Sequence, residues 1–376
     1  MRKALVNGRI LTAAGWREAA ALLIRDGRIE AIVDATDVPR DIPCEDLGVD
    51  YLLAGFIDVQ VNGGGGVLLN KAESVADIER IARAHRAFGT TGLLPTLISD
   101  EREVMERAAD LVAAAISQGV PGVLGIHFEG PVLNAAKRGV HSAAKLKRID
   151  EAMRALFLRR DLGRVLVTLA PEQVTPEVIN ELAAAGVTVS AGHSAATFEE
   201  MQAAINAGLT GVTHLFNAME PMTARAPGLI GAALLDPRVF CGVINDTHHV
   251  HPAMLKLALA AKGRERLMLV TDAMSVVGTG ATSFPFEGET IRLEDGRLTT
   301  PGGTLAGSAL DMAAAVANSV RHLGAALESA AEMASATPAR FLGLAQTHGR
   351  IAPGYRADLV RMSADFRARK VWIAGE

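Results

Sequence analysis

Val123-Leu124-Gly125-Ile126-His127-Phe128-Glu129-Gly130-Pro131 runs apolar for most of its length and then stops at polar groups and a Gly-Pro breaker. Such a short run suits a strand buried on both faces, with its polar groups gathered at the carboxyl end. The same texture recurs outward from it, at Phe56 to Val61, Gly92 to Ile98, Val165 to Leu169, Val187 to Ala191, Gly211 to Leu215, Phe240 to Ile244 and Leu267 to Thr271. With Val123 to Phe128 these make eight candidate strands, and amphipathic stretches fill the gaps. Ser74 to Ala87 opens with a Ser-x-x-Asp variant of the capping box, and Pro176 to Ala185 has a Thr175 cap and a Gly186 stop. Strands alternating with helices predict βα units around a parallel sheet, and eight of them predict a (β/α)8 TIM-like barrel. An open doubly wound sheet is the runner-up, but the glycines at 63–66 lack the phosphate-binding spacing that such a fold carries after its first strand.

The two ends of the chain differ from the middle. Residues 1–53 carry short β-like runs broken by turns such as Asp26-Gly27, and residues 349–376 repeat that texture. The two ends are expected to build one small β-sandwich domain beside a catalytic barrel over residues 54–348. A long segment from Val276 to Gly307 interrupts the last βα unit. It holds a hairpin, Thr290 to Thr299, with an Asp295-Gly296 turn, and is expected to cover the barrel mouth.

Composition narrows the function. Of 376 residues, 49% are apolar and 21% charged, with a net charge of -4 and no long run of one sign, so nothing attracts a nucleic-acid backbone or an anionic membrane. The start of the chain has no sustained apolar segment, and no apolar run approaches the ~18 residues a membrane span requires. A cytoplasmic enzyme is expected. The two cysteines, Cys44 and Cys241, are far apart and sit in apolar runs, so buried thiols are expected rather than a disulfide.

Barrel enzymes keep their chemistry at the carboxyl ends of strands. Here those ends carry Asp58, Gln60 and Asn62 at period-two spacing, His127 and Glu129, His193, His214 with Asn217, and Asp272. Glu129, His193 and His214 supply one carboxylate and two imidazoles, the set that catalytic zinc sites use while keeping a position open for water. A metal held this way makes water acidic near neutral pH, and Asp272 on the last strand is placed to move its proton to a leaving nitrogen. A lone strand-end histidine is more often structural than a ligand, but five strand ends of one barrel with such groups favour chemistry. His127 shares a face with Glu129 and is expected to support it, and Asp58 to orient its neighbours. His85, His322 and His348 fall on helices or a linker, as surface or packing residues.

Longer motifs then carry a resemblance over essentially the whole chain. They include Gly55-Phe56-Ile57-Asp58-Val59-Gln60-Val61-Asn62-Gly63, His127-Phe128-Glu129-Gly130-Pro131, Lys137-Arg138-Gly139-Val140-His141, Gly192-His193-Ser194, Thr213-His214-Leu215-Phe216-Asn217-Ala218-Met219, Arg225-Ala226-Pro227-Gly228-Leu229, Leu269-Val270-Thr271-Asp272-Ala273 and Gly303-Thr304-Leu305-Ala306-Gly307-Ser308. The chain resembles the N-acetylglucosamine-6-phosphate deacetylases of the amidohydrolase superfamily. That resemblance implies the amidohydrolase type of barrel, with Glu129, His193 and His214 as ligands of one divalent metal ion per subunit, zinc first, with iron, cobalt or manganese as alternatives. It makes Asp272 the general acid/base and His141 the group that polarises the acetyl carbonyl. Asn217, the Ala218 backbone, Arg225 and His249 become sugar-phosphate contacts, with Val140, Leu305, Ala306 and Gly307 as further substrate positions. It also implies a homodimer in which Arg225 reaches the neighbouring site.

Where many relatives of that superfamily hold a second metal with His-x-His, this chain has Gln60 and Asn62, neutral amides that bind such ions poorly. One metal is therefore expected, with these as vestigial second-metal positions. The loop Asp246-Thr247-His248-His249-Val250 leaves a choice between His248 and His249. Rival readings are a deacetylase of the galacto epimer or another phosphosugar, another amidohydrolase, and a non-catalytic barrel scaffold. The last has no chemical reason to keep Glu129, His193, His214 and Asp272 together.

Overall fold

The computed structural model describes residues 2–376. Eight parallel strands, each hydrogen-bonded to the next in chain order, form the barrel: β1 (Phe56–Val61), β2 (Thr90–Ile98), β3 (Gly125–Glu129), β4 (Arg164–Leu169), β5 (Thr188–Ala191), β6 (Gly211–Val212), β7 (Phe240–Ile244) and β8 (Leu267–Val270). Beyond β8 the ring closes on β1, where the Asp272 N–H donates to the Gln60 carbonyl at 2.9 Å and Val61 bridges Ala273. Every residue of β1 and β2 is buried, as expected of strands covered on both faces.

The helices form for the reasons their sequences give. Val75–Arg86 starts at the Ser74–Asp77 capping box, and Pro176–Ala184 places Pro at its first turn and ends before Gly186, at φ +92°. Their buried positions, Ile78, Ile81 and Ala82 in the first and Ile179 and Leu182 in the second, fall at helical spacing and pack on the strands. No helix among the described residues is long and apolar enough to cross a membrane.

Both ends of the chain meet in two further sheets. One orders Arg28–Asp34, Ala20–Arg25, Arg2–Val6 and Cys44–Asp46; the other orders Ala368–Trp372, Leu359–Met362, Tyr51–Ala54, Arg9–Thr12 and Gly15–Arg17. Leu5, Ile10, Leu22, Leu52, Leu359 and Trp372 are buried together between them. Each such side chain contributes about 1.5–3 kcal/mol by leaving water, and here the two ends of the chain share that gain.

A four-stranded flap is built from Ser283–Phe286, Glu289–Glu294, Arg297–Thr299 and Leu305–Ser308. Asp295 and Gly296 take φ +49° and +80°, the left-handed pair that a two-residue hairpin demands. The flap's apolar face, including Phe284, Ile291 and Leu298, packs on Leu68, Ile98 and Met274 at the barrel mouth, as the interrupted last unit had suggested.

Two expectations need correction. The sixth strand is only two residues long rather than running to Leu215, because the backbone leaves the ladder and reaches φ +34° at His214. Cys44 is exposed, since its strand lies at a sheet edge; Cys241, within β7, is buried as expected, and both are free thiols.

Gly125 shows how closely the barrel strands approach. A Cβ there would lie 1.9 Å from the Arg164 carbonyl oxygen, a main-chain atom that cannot turn aside. Gly125→Ala should therefore lower stability by about 2–4 kcal/mol, read from denaturant unfolding, without the variant losing its far-ultraviolet circular dichroism in buffer.

Candidate active site

The carboxyl ends of β1, β3, β5, β6 and β8 converge on one cleft of about 380 Å³, whose lining includes Asn62, Glu129, His141, His193, His214 and Asp272. Left-handed backbone aims three of these inward: His193 at φ +49°, His214 at φ +34° and Asp272 at φ +53°. For residues with a Cβ this region costs about 1–3 kcal/mol each, so neighbouring contacts must hold them there. Some of those contacts are explicit. Glu172 accepts from Ser194 Oγ at 2.6 Å, the Ala195 N–H at 2.7 Å and Asn134 Nδ2 at 2.9 Å, which ties the end of β5 to the loop after β3. From that loop the Lys137 carbonyl receives His193 Nδ1 at 2.8 Å.

That last bond fixes the ring chemistry. A carbonyl only accepts, so His193 carries its proton on Nδ1 and turns the Nε2 lone pair into the site. His193 Nε2 and His214 Nε2 lie 3.0 Å apart, and both approach Glu129 Oε1, at 3.2 and 3.0 Å. Imidazole nitrogens crowded against each other and a buried carboxylate are poorly matched unless positive charge sits among them. The three side chains are buried, their ligand atoms lie within 4.8 Å of one another, and they are the one group of this kind among the described residues. The donor set fits a divalent metal ion with an open coordination position. Burial pushes the Glu129 carboxyl up, but the two histidines outweigh it and hold the group well below its ordinary range.

The β1 amides occupy the other side. Gln60 Nε2 donates to Glu129 Oε1 and to Asp272 Oδ1, each at 3.1 Å, and Asn62 Nδ2 donates to Asp272 Oδ1 at 2.6 Å. Burial, reinforced by the charge of Glu129, raises Asp272 to about 8. Oδ1 already accepts from two amides, so Oδ2 is the oxygen free to carry and pass a proton. Below this layer Asp58 receives the Thr271 hydroxyl at 2.5 Å and the Gln60 and Thr271 N–H groups at 3.2 and 3.3 Å, clamping β1 to β8.

The remaining sequence candidates divide. Val140, His141, Asn217, Ala218, His249, Leu305 and Gly307 line the cleft. Of the two neighbouring histidines His249 is the one that lines the cleft, with its Nδ1 at 2.6 Å from Asp246, whereas His248 is exposed beside Gly296 of the flap. Ala306 does not line the cleft, because alternation along Leu305–Ser308 turns it into the flap's apolar cluster. Arg225 is exposed in the loop before the helix Gly228–Leu235 and is not part of its own chain's cleft. His127 does not bond to Glu129; it spans Thr96 and Thr168 inside the barrel, and burial lowers it to about 4. His85 is a packing residue, buried with Nε2 at 2.8 Å from the Gly63 carbonyl, and His322 is exposed.

Sequence reasoning missed Lys137, Met274 and Thr304 in the lining, and Ser99 just behind His141. For Ser99 a signal existed, a polar residue directly after the apolar run of β2. A larger cleft of about 600 Å³ lies elsewhere, against Thr12, Arg264 and Arg340. Within it Glu332 bridges both arginines, at 2.8 and 3.0 Å.

Residues 51–376 match the amidohydrolase family. The chain is 47% identical over 373 residues to an N-acetylgalactosamine-6-phosphate deacetylase of Shewanella sp. (strain ANA-3), covering 98% of this chain and 94% of that one. It is 32% identical to an N-acetylglucosamine-6-phosphate deacetylase of Haemophilus influenzae, covering 100% and 99%. The crystal structure of N-acetylglucosamine-6-phosphate deacetylase from Pasteurella multocida superposes with a TM-score of 0.97 at 35% identity, covering 100% and 99%.

If the Glu129–His193–His214 group is a metal site, His193→Ala and His214→Ala should each weaken zinc binding by more than about 100-fold in a chelator competition titration. His249→Ala, outside that group, should stay within about threefold of the parent.

Proposed function

The chain belongs to the amidohydrolase family, and on that premise we propose that it hydrolyses the acetamide of N-acetyl-D-glucosamine 6-phosphate, giving D-glucosamine 6-phosphate and acetate. The observation that carries the reading is the convergence of Glu129, His193, His214 and Asp272 at one barrel mouth, within a chain that matches acetylhexosamine-phosphate deacetylases over its whole length. Glu129, His193 and His214 would hold one divalent metal ion per subunit, with zinc the first choice for a carboxylate and two imidazoles. When bound, such an ion supplies Lewis acidity, polarising the acetyl carbonyl and acidifying water.

Asp272 then does the proton work. A cation held by Glu129, His193 and His214 would favour the ionised form of Asp272; its Oδ2 takes a proton from the water whose oxygen bonds the acetyl carbon and returns it to the sugar nitrogen as the C–N bond breaks. Gln60 and Asn62 hold the other oxygen and so orient the carboxylate. They stand where a second metal would need imidazoles, which supports a one-metal site. His141 donates to the acetyl oxygen, where negative charge builds up. Asn217, the Ala218 backbone and His249 take the sugar phosphate in the same cleft, with Val140, Leu305 and Gly307 as its walls. Arg225, exposed and outside its own cleft, is assigned to the phosphate of a neighbouring subunit in a homodimer, a role that suits the planar guanidinium.

A second reading, the galacto epimer of the same substrate, is favoured by the 47% identity to the Shewanella enzyme. Acetate release from both phosphorylated epimers and from unphosphorylated N-acetylglucosamine, with a chelator control, separates the readings. Chelator-sensitive turnover with at least about tenfold higher kcat/KM on the gluco phosphate supports the first, the reverse order supports the second, and no release from either phosphate overturns both. Asp272→Asn should keep zinc and substrate binding while kcat falls by about 10²–10⁴-fold in steady-state kinetics.

A further inference from the structure

His141 is held from behind by β2, a strand whose end contributes none of the candidate metal or proton-transfer groups. Ser99 directly follows β2, is 3% exposed, and its Oγ lies 2.8 Å from His141 Nδ1. The Ser99 main-chain N–H donates to the same nitrogen at 3.3 Å. A main-chain N–H has no acceptor capacity, so this contact requires a lone pair on Nδ1. The hydroxyl must then donate as well. A neutral imidazole with an unprotonated Nδ1 carries its proton on Nε2. No hydrogen bond occupies His141 Nε2 among the described residues, and the ring borders the cleft, packed edge-on against His193 at 4.5 Å between centroids.

The surroundings keep Ser99 in this place. A Cβ on Gly130 would come within 2.3 Å of Ser99 Oγ, and Gly130 itself sits at φ +88°, so glycine serves both the turn and the space. The next residue, Asp100, accepts from Lys145 Nζ at 2.8 Å, and Lys145 also reaches Glu287 of the flap at 2.9 Å. The loop that carries His141 is thus fastened to the end of β2 at two points, four residues apart.

We infer that Ser99 is a positioning residue that fixes His141 as the Nε2–H tautomer, making it a hydrogen-bond donor to the acetyl oxygen rather than a base. The donor role rests on the deacetylase reading above; the tautomer does not. In the opposite tautomer Nε2 would present a lone pair to an oxygen gaining negative charge, which repels instead of stabilising.

Nitrogen-15 spectra of histidine-labelled, zinc-reconstituted protein read the tautomer directly, with His141 assigned by its loss in His141→Ala. The expected result is a protonated Nε2 and an unprotonated Nδ1 in the parent. Ser99→Ala removes one of the two donors and leaves the main-chain one. It should show a partial shift of the proton to Nδ1 and a kcat lower by about 5–30-fold on the phosphorylated sugar, with KM within about twofold. Protonated Nδ1 in the parent, or an unchanged tautomer or kcat in Ser99→Ala, overturns the inference. A parent that releases no acetate overturns the deacetylase reading instead, while the spectrum still decides the tautomer.

Discussion

The hydrogen bond from the Asp272 N–H to the Gln60 carbonyl, 2.9 Å long, closes the barrel between its last strand and its first. Everything at the mouth depends on that closure, because it brings the carboxylate of Asp272 against the side-chain amides of Gln60 and Asn62. These groups lie 210 or more residues apart in sequence. The Asp58 carboxylate repeats the tie one layer deeper, through the Thr271 hydroxyl. A carboxylate whose orientation is set by two amides needs no reorganisation when a proton moves.

The same closure concentrates cost in a small volume. Glu129, His193 and His214 are buried and Asp272 is half-buried, and three of the four adopt left-handed backbone. Burying unpaired charge and holding strained residues both oppose folding, so the surrounding contacts have to compensate. Glu172 supplies three accepting contacts and Lys137 a carbonyl on the β5 side, while Ser99 and Asp100 fasten the His141 loop on the β2 side. Opposite environments also separate the two carboxyls: Glu129, facing two imidazoles, is held low, whereas burial and its neighbour Glu129 raise Asp272 to about 8. That divergence suits Glu129 to a ligand's role and Asp272 to a proton carrier's in the proposed hydrolysis.

The flap adds the third ingredient, partial exclusion of water. Its apolar underside rests on Leu68, Ile98 and Met274, and Leu305 and Gly307 form one wall of the cleft. A site covered this way strengthens each polar contact within it, because less solvent competes.

The eight strands, the capped helices, the Asp-Gly flap turn and the five polar strand ends were legible in the sequence, because each is set by short-range rules: side-chain period, caps and turn chemistry. So was the set Glu129, His193, His214 and Asp272, since a parallel barrel brings all strand ends to one rim whatever their separation along the chain. Which of two adjacent histidines enters the cleft was not legible, nor that Ala306 turns away, that the sixth strand ends at Val212, or that Cys44 is exposed. Those outcomes depend on where the backbone leaves a ladder, which face of the flap meets the barrel and which strand lies at an edge. Ser99 belongs with them. Its place after an apolar run was visible, but its partner is 42 residues away, and only the folded chain brings a hydroxyl and a main-chain N–H to the same imidazole nitrogen.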